Sequence, residues 1–186
     1  MPGIDETRQF IPLRIAVLTV SDTRGMADDT SGATLVERVG RAGHILADRA
    51  IVRDDVEQIR GRVKKWIADK TVDVVITTGG TGFTGRDVTP EAVEPLFEKR
   101  MDAFAAMFLL VSERKIGTSA IQTRAIGGTA NATFIFCLPG SPGACKDAWD
   151  GILVHQLDYR YRPCNFVEIL PRLDEHLKRG KAQGAG

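Results

Sequence analysis

Three short apolar runs alternate with two amphipathic helical stripes, and that alternation limits the architecture more than any other feature. Ile15 to Val20, Ile45 to Val52 and Val72 to Thr78 read as strands. Asp29 to Ser31 offers a cap for a first helix, whose stripe Leu35, Val36, Val39 and Ala42 stops at Gly43, where a helix-ending glycine belongs. Asp54 or Asp55 can cap a second helix, in which Val56, Ile59, Val63 and Ile67 recur at helical spacing. Strand, helix, strand, helix, strand builds a parallel sheet with helices on both faces. Right-handed crossovers place the first strand in the middle, flanked by the second and third. A crevice then opens between the carboxyl ends of the first and third strands, the switch point at which such sheets bind ligands.

The rest of the chain extends this plan. From Thr89 the residues Val93, Leu96, Phe97, Met101, Phe104 and Phe108 mark one long helix, or two short ones joined near Asp102. Gln122 to Thr129 and Thr133 to Leu138 read as an antiparallel pair turning at Ala130-Asn131. Ser141-Pro142 opens another helix, with Trp149, Ile152, Leu153 and Leu157 on its inner face. The expected division is an N-terminal extension over 1–12, one domain over 13–170 and a tail over 171–186, frayed from Leu177 to Gly186. A chain of 186 residues is long enough for one core and short for two. The net charge of +1 gives no electrostatic case for a nucleic-acid or membrane partner. No apolar run reaches the roughly 20 residues of a membrane span, and MPGIDETRQF lacks a signal pattern. Cys137, Cys145 and Cys164 show no metal or disulfide spacing and read as reduced thiols of a cytoplasmic protein. His44, His155 and His176 are far apart in sequence and give little support to a shared metal site.

The chemistry gathers where strands end. Ser21-Asp22, Asp54-Asp55, Gly79 to Asp87 and Pro139 to Gly143 each follow a strand, so all four segments should meet on one rim. The turn Gly79-Gly80-Thr81-Gly82 offers backbone N–H donors for an anion, and Thr78 and Thr81 add hydroxyls. Pro139-Gly140-Ser141-Pro142-Gly143 is a second cradle, where the N–H groups of Gly143 and Ala144 at a helix start suit a phosphate oxygen. A carboxylate beside phosphates requires a cation between them. Asp87 therefore points to Mg²⁺, which takes one or two carboxylates plus phosphate oxygens. Asp54 is either a second carboxylate for that ion or a plain helix cap. Arg86 and Arg124 could neutralise phosphate charge, with a surface salt bridge as the plainer role for Arg124. Gly80-Thr-Gly82-Phe-Thr-Gly85 also matches a dinucleotide fingerprint. However, the helix signal at Thr89-Pro90 comes after all three glycines, and no acidic strand end follows about 20 residues on, which argues against nicotinamide binding.

TTGGTGFTGRDVTPEA at Thr77 to Ala92, together with LPGSPGA at Leu138 to Ala144, resembles the MoaB/MogA molybdenum-cofactor biosynthesis family. The N-terminal IAVLTVSDTRG, IGTSAIQTRAIGG at Ile116 to Gly128 and RPCNF at Arg162 to Phe166 resemble its MoaB branch. The resemblance runs from about Pro12 to Phe166. It implies a three-layer α/β/α doubly wound fold, with a mostly parallel sheet and one antiparallel strand, in homotrimers or homohexamers. It also implies transfer of AMP from Mg-ATP to the terminal phosphate of molybdopterin, with Asp87 and Asp54 in metal binding and catalysis. The glycine turn and the LPG segment would hold the nucleotide and pterin phosphates, so Ser21, Thr78, Gly79, Gly80, Thr81, Gly82, Arg86, Arg124, Pro139, Gly140, Ser141 and Gly143 form the expected binding set. One stretch departs from the pattern. Many relatives carry Gly-Phe-Gly-Glu followed closely by Arg, where this chain has Ala103-Phe104-Ala105-Ala106 and Leu109. A non-catalytic pterin-binding oligomer is the alternative this departure raises. Phe108, Leu109 and Leu110 are the expected subunit interface.

Overall fold

A computed structural model describes residues 1–175 of the chain. In order, its elements are β1 (Gly3–Ile4), β2 (Arg14–Val20), α1 (Thr30–Arg41), β3 (Ile45–Val52), α2 (Val56–Ala68), β4 (Val74–Thr78), α3 (Thr89–Val93), β5 (Lys99–Arg100) and α4 (Asp102–Ile116). They continue with β6 (Ile126–Ala130), β7 (Thr133–Leu138), α5 (Pro142–Ala148), α6 (Val154–Gln156), β8 (Tyr161–Arg162) and α7 (Phe166–Ile169). The six-stranded sheet has the order β3-β2-β4-β7-β6-β5. β2 pairs in parallel with β3 and β4, and β4 with β7. β6 is antiparallel to both β7 and β5, so β6 alone runs against the rest. The first long strand lies between the second and third, as the handedness argument requires.

Alternation along the strands sorts the core onto two faces. Ile15, Val17, Val74, Ile76, Phe134, Phe136 and Leu138 pack against Leu35 and Val39 of α1, Phe104 and Phe108 of α4, and Cys145 and Ala148 of α5. Ala16, Leu18, Val20, Val75, Ile135 and Cys137 pack against Ile59, Val63 and Trp66 of α2 and Ala92 and Val93 of α3. Both faces are therefore dry, and the strands read as continuous apolar runs instead of alternating ones. The result is helix, sheet, helix in three layers.

Several local expectations are corrected. Residues 117–122 form a 3-10 turn, and β6 begins only at Ile126. The hairpin turns at Asn131-Ala132, both with positive φ (46° and 65°), which is the two-residue geometry that matches strand twist. Of the two arrangements expected from Thr89, the structure has the two helices, although a short strand and not a direct joint separates them. α3 ends at Val93, Lys99–Arg100 pairs with Gly128 and Thr129 as an edge strand, and α4 starts at Asp102. Phe108 is core, 1% exposed, whereas its neighbours Leu109 and Leu110 are 43% and 55% exposed. Successive residues on a helix point about 100° apart, so three in a row cannot share one surface. The expected tail from Leu177, and His176, lie outside the described residues.

His44 gives the fold an acid-sensitive joint. It is 7% exposed, its Nδ1 accepts from the Leu13 backbone N–H at 3.1 Å, and it packs against the rings of Phe10 and Trp149. Burial pushes its pKa down to about 4, against the opposing pull of the Asp158 carboxylate. The unfolded chain therefore takes up the proton first, near pH 6.5, and stability falls as pH drops from there toward 4. The loss reaches about 3 kcal/mol. Urea unfolding across this range in wild type and His44→Gln checks the assignment, since the variant should lose that part of the pH dependence.

Candidate functional site

The four segments meet at the carboxyl ends of β2, β3, β4 and β7. Gly79 donates its N–H to Leu138 O at 3.0 Å, which carries the β4–β7 ladder one residue past the strands. Thr78 Oγ1 donates to Pro139 O at 2.8 Å. A Cβ on Gly140 would come within 3.2 Å of Gly79 Cα, and one on Gly79 (φ +107°) within 2.1 Å of Val20 O. The two glycine corners and the end of β2 thus touch backbone to backbone, which only glycine permits.

The turn is braced from the far side by α3. Thr89 donates its N–H to Gly80 O at 2.9 Å and its hydroxyl to Gly79 O at 2.8 Å. α3 begins after all three glycines, so the loop lacks the helix placement of a dinucleotide fingerprint. Asp87 closes the loop by accepting from Thr84 N at 2.9 Å and Thr84 Oγ1 at 2.6 Å. The Thr84 hydroxyl first, and backbone N–H donors with it, hold the Asp87 carboxyl below its ordinary range, so it is ionised at neutral pH. Asp54 approaches from β3, and a Cβ on Gly80 would lie 3.0 Å from its Oδ1. Asp55, not Asp54, caps α2, accepting from Gln58 N at 2.9 Å, which leaves the Asp54 side chain to the rim. Burial first, then the charge of Asp22, pushes the Asp54 pKa up, and Asp87 adds to that push. Asp54 forms no ion pair among the described residues, and the charge of Arg86 only partly opposes the upward push.

The arginines are disposed differently from the sequence expectation. Arg86 is exposed and bound by a bidentate pair to Asp22, both contacts at 2.9 Å. Arg124 is a brace. It donates to Gly82 O at 2.8 Å and Asp87 O at 2.7 Å, and it pairs with Glu91. Arg24, absent from the expected binding set, donates to Gly140 O and Ser31 Oγ, both at 3.0 Å. Its backbone N–H bonds Ser21 Oγ at 3.2 Å, so Ser21 shapes the turn that carries Arg24. Thr81 Oγ1 lies 3.4 Å from Thr123 Oγ1. Ser141 caps α5 by accepting from Ala144 N at 3.1 Å, which occupies one of the two N–H groups expected to face a ligand and leaves that of Gly143. Among the described residues no group of three or more His, Cys, Asp or Glu side chains is arranged to hold a metal ion. Nor is any helix there long and apolar enough to cross a membrane. The three cysteines are free thiols, with Cys137 and Cys145 buried.

Residues 16–159 match the profile of a probable molybdopterin binding domain. Molybdenum cofactor biosynthesis protein B of Escherichia coli K12 is 51% identical over 158 residues, covering 85% of this chain and 93% of that protein. A crystal structure of a molybdenum cofactor biosynthesis protein B superimposes with a TM-score of 0.78 at 40% identity, covering 81% of this chain and 94% of the other. The chain belongs to the molybdenum cofactor biosynthesis protein B family. The molybdopterin biosynthesis enzyme MoaB of Thermus thermophilus also shares the fold, with a TM-score of 0.69 at 31% identity over 76% of this chain and 89% of that one. The matched stretch begins inside β2 and runs past α6, so in this MoaB-family chain it contains all four rim segments.

Proposed function

We propose that the chain is a molybdopterin adenylyltransferase. It binds Mg-ATP and molybdopterin on the rim. An oxygen of the pterin phosphate attacks the α-phosphorus of ATP and forms a new P–O bond. The bond from the α-phosphorus to the bridging oxygen of the β-phosphate breaks, and pyrophosphate leaves. The attacking group is already an anion, so the reaction requires no Ser-His or Cys-His pair, only positioning and charge neutralisation.

One observation carries this reading: two glycine corners in backbone contact, with the Asp87 and Asp54 carboxylates beside one of them, in a chain of a molybdopterin-binding family. The donor set suits Mg²⁺, which keeps several waters and needs only one or two carboxylates plus phosphate oxygens. Asp87 and Asp54 would hold it, and when bound it neutralises charge on the phosphates. The raised pKa of Asp54 fits a carboxylate without its counter-cation. The Gly79–Gly82 turn orients one phosphate chain, and Pro139 to Gly143 holds a second anion against it. Arg124 fixes the loop that carries Asp87. Use of ATP makes the protein cytoplasmic in this reading.

A specific observation favours a second reading, a pterin-binding oligomer without chemistry. Ala105, Ala106, Leu109, Ile121 and Thr123 line an apolar groove next to the Arg124 brace, where relatives carry a charged pair. Calorimetry separates the two. Saturable Mg-ATP binding that competes with pyrophosphate supports the enzyme. Tight molybdopterin binding with no heat from Mg-ATP supports the carrier.

The same region bears on assembly. Met107, Leu109, Leu110, Ile116 and Ile121 are all exposed along α4 and the turn after it. Surfaces of that kind mark interfaces, which supports the homotrimer or homohexamer that the family resemblance implies. Light scattering should give three or six times the 20.3 kDa chain mass, and a monomer at micromolar concentration would count against it.

A further inference from the structure

We infer that Arg24 binds a phosphate of the substrates at the Gly140 corner and sets the requirement for an anionic ligand there. The inference rests on the adenylyltransferase reading and extends it to a residue that reading did not use. Arg24, Arg86 and Arg124 each hydrogen-bond to a rim residue, and their partners differ in kind. Arg86 has both oxygens of Asp22 at 2.9 Å. Arg124 has Glu91 and two loop carbonyls. Arg24 has only neutral partners, Gly140 O and Ser31 Oγ, both reached through Nη1, and no carboxylate within ion-pair distance among the described residues. A guanidinium carries five N–H donors in a fixed fork. With Nη1 anchored, its remaining donors are still available.

Its position supports the assignment. Arg24 is half-buried, so its field is less screened than that of exposed Arg86. It contacts Gly140, which itself packs on Gly79, so the unpaired cation lies where the two glycine corners meet. The Ser21 hydroxyl accepts from the backbone N–H groups of Thr23 and Arg24 and holds the turn in place. Arg53, just before Asp54, also forms no ion pair among the described residues, but it is exposed and makes no contact with the Gly140 corner. Of the arginines anchored to these loops, Arg24 is the one whose charge a phosphate can take without first displacing a carboxylate. Arg86 and Arg124 would each have to give up an ion pair.

The test is calorimetric titration of wild type, Arg24→Ala, Arg24→Gln and Arg24→Lys with Mg-ATP and, separately, with molybdopterin. Loss of a charge-assisted contact should weaken one of the two ligands by at least about tenfold in both the Ala and Gln variants, with Lys recovering part of it. The ligand that weakens identifies whether the phosphate belongs to the nucleotide or to the pterin. Affinities within about twofold of wild type in every variant overturn the inference. So does wild-type affinity in Arg24→Gln beside loss in Arg24→Ala, because then only the tie to Gly140 matters. Equal loss of both ligands marks a loop strut and also counts against it. Wild-type protein that binds neither ligand removes the functional reading and this inference together, so the two failures are distinguishable.

Discussion

Asp87→Asn removes adenylyl transfer, lowering kcat by about a hundredfold or more, while molybdopterin still binds. Removal of one preorganised electrostatic group typically costs on the order of 10²–10³ in rate, and here the charge lost is the one expected to hold the divalent ion. The substitution is informative because of what it keeps. Asn retains an oxygen to accept from Thr84 N and Oγ1, so the loop need not unfold. Thr84 holds Asp87 ionised at neutral pH, so the variant removes a full negative charge. Measuring turnover and molybdopterin affinity on the same preparation separates chemistry from folding. Unchanged turnover in Asp87→Asn would leave Asp87 as a loop fastener only.

Gly79→Ala has the largest expected effect on stability, about 3 kcal/mol. Its φ of +107° is a conformation L side chains rarely adopt, and its Cβ would lie 2.1 Å from the carbonyl oxygen of Val20. That neighbour is backbone in the middle of the sheet, so it cannot swing aside as a side chain would. Relief requires β2 and β4 to part at their carboxyl ends, where the Gly79–Leu138 bond also lies. Gly143→Ala is the control. Nothing lies within 4 Å of its Cβ, and a surface change of that kind should stay within about 0.5 kcal/mol. Urea unfolding of both variants decides the matter, and equal stabilities would contradict the close packing at the rim.

The rim is legible in the sequence because each strand ends in an abrupt change of residue type. β4 passes from Val-Val-Ile-Thr-Thr to Gly-Gly, and β7 from Phe-Cys-Leu to Pro-Gly. Strand order follows from the handedness of crossovers, which is independent of side-chain detail. What sequence cannot supply are choices made by register and by distant loops. Asp54 and Asp55 are chemically alike, and only the start of α2 decides that the second is the cap. The partner of Arg86 is 64 residues away and that of Arg24 is 116, so neither pairing leaves a local signal. β5 has two exposed residues, Lys99 and Arg100, too few to show a period. Phe108 reads as surface because Phe-Leu-Leu is apolar throughout, and only packing against the sheet shows which of the three faces inward.

Incubation of the purified protein with molybdopterin, ATP and Mg²⁺ tests the central claim most directly, with adenylylated molybdopterin and pyrophosphate followed together. The account predicts that both products appear in equal amounts, and that neither forms once the divalent ion is chelated. Protein that binds molybdopterin tightly yet yields neither product with Mg-ATP present would contradict it.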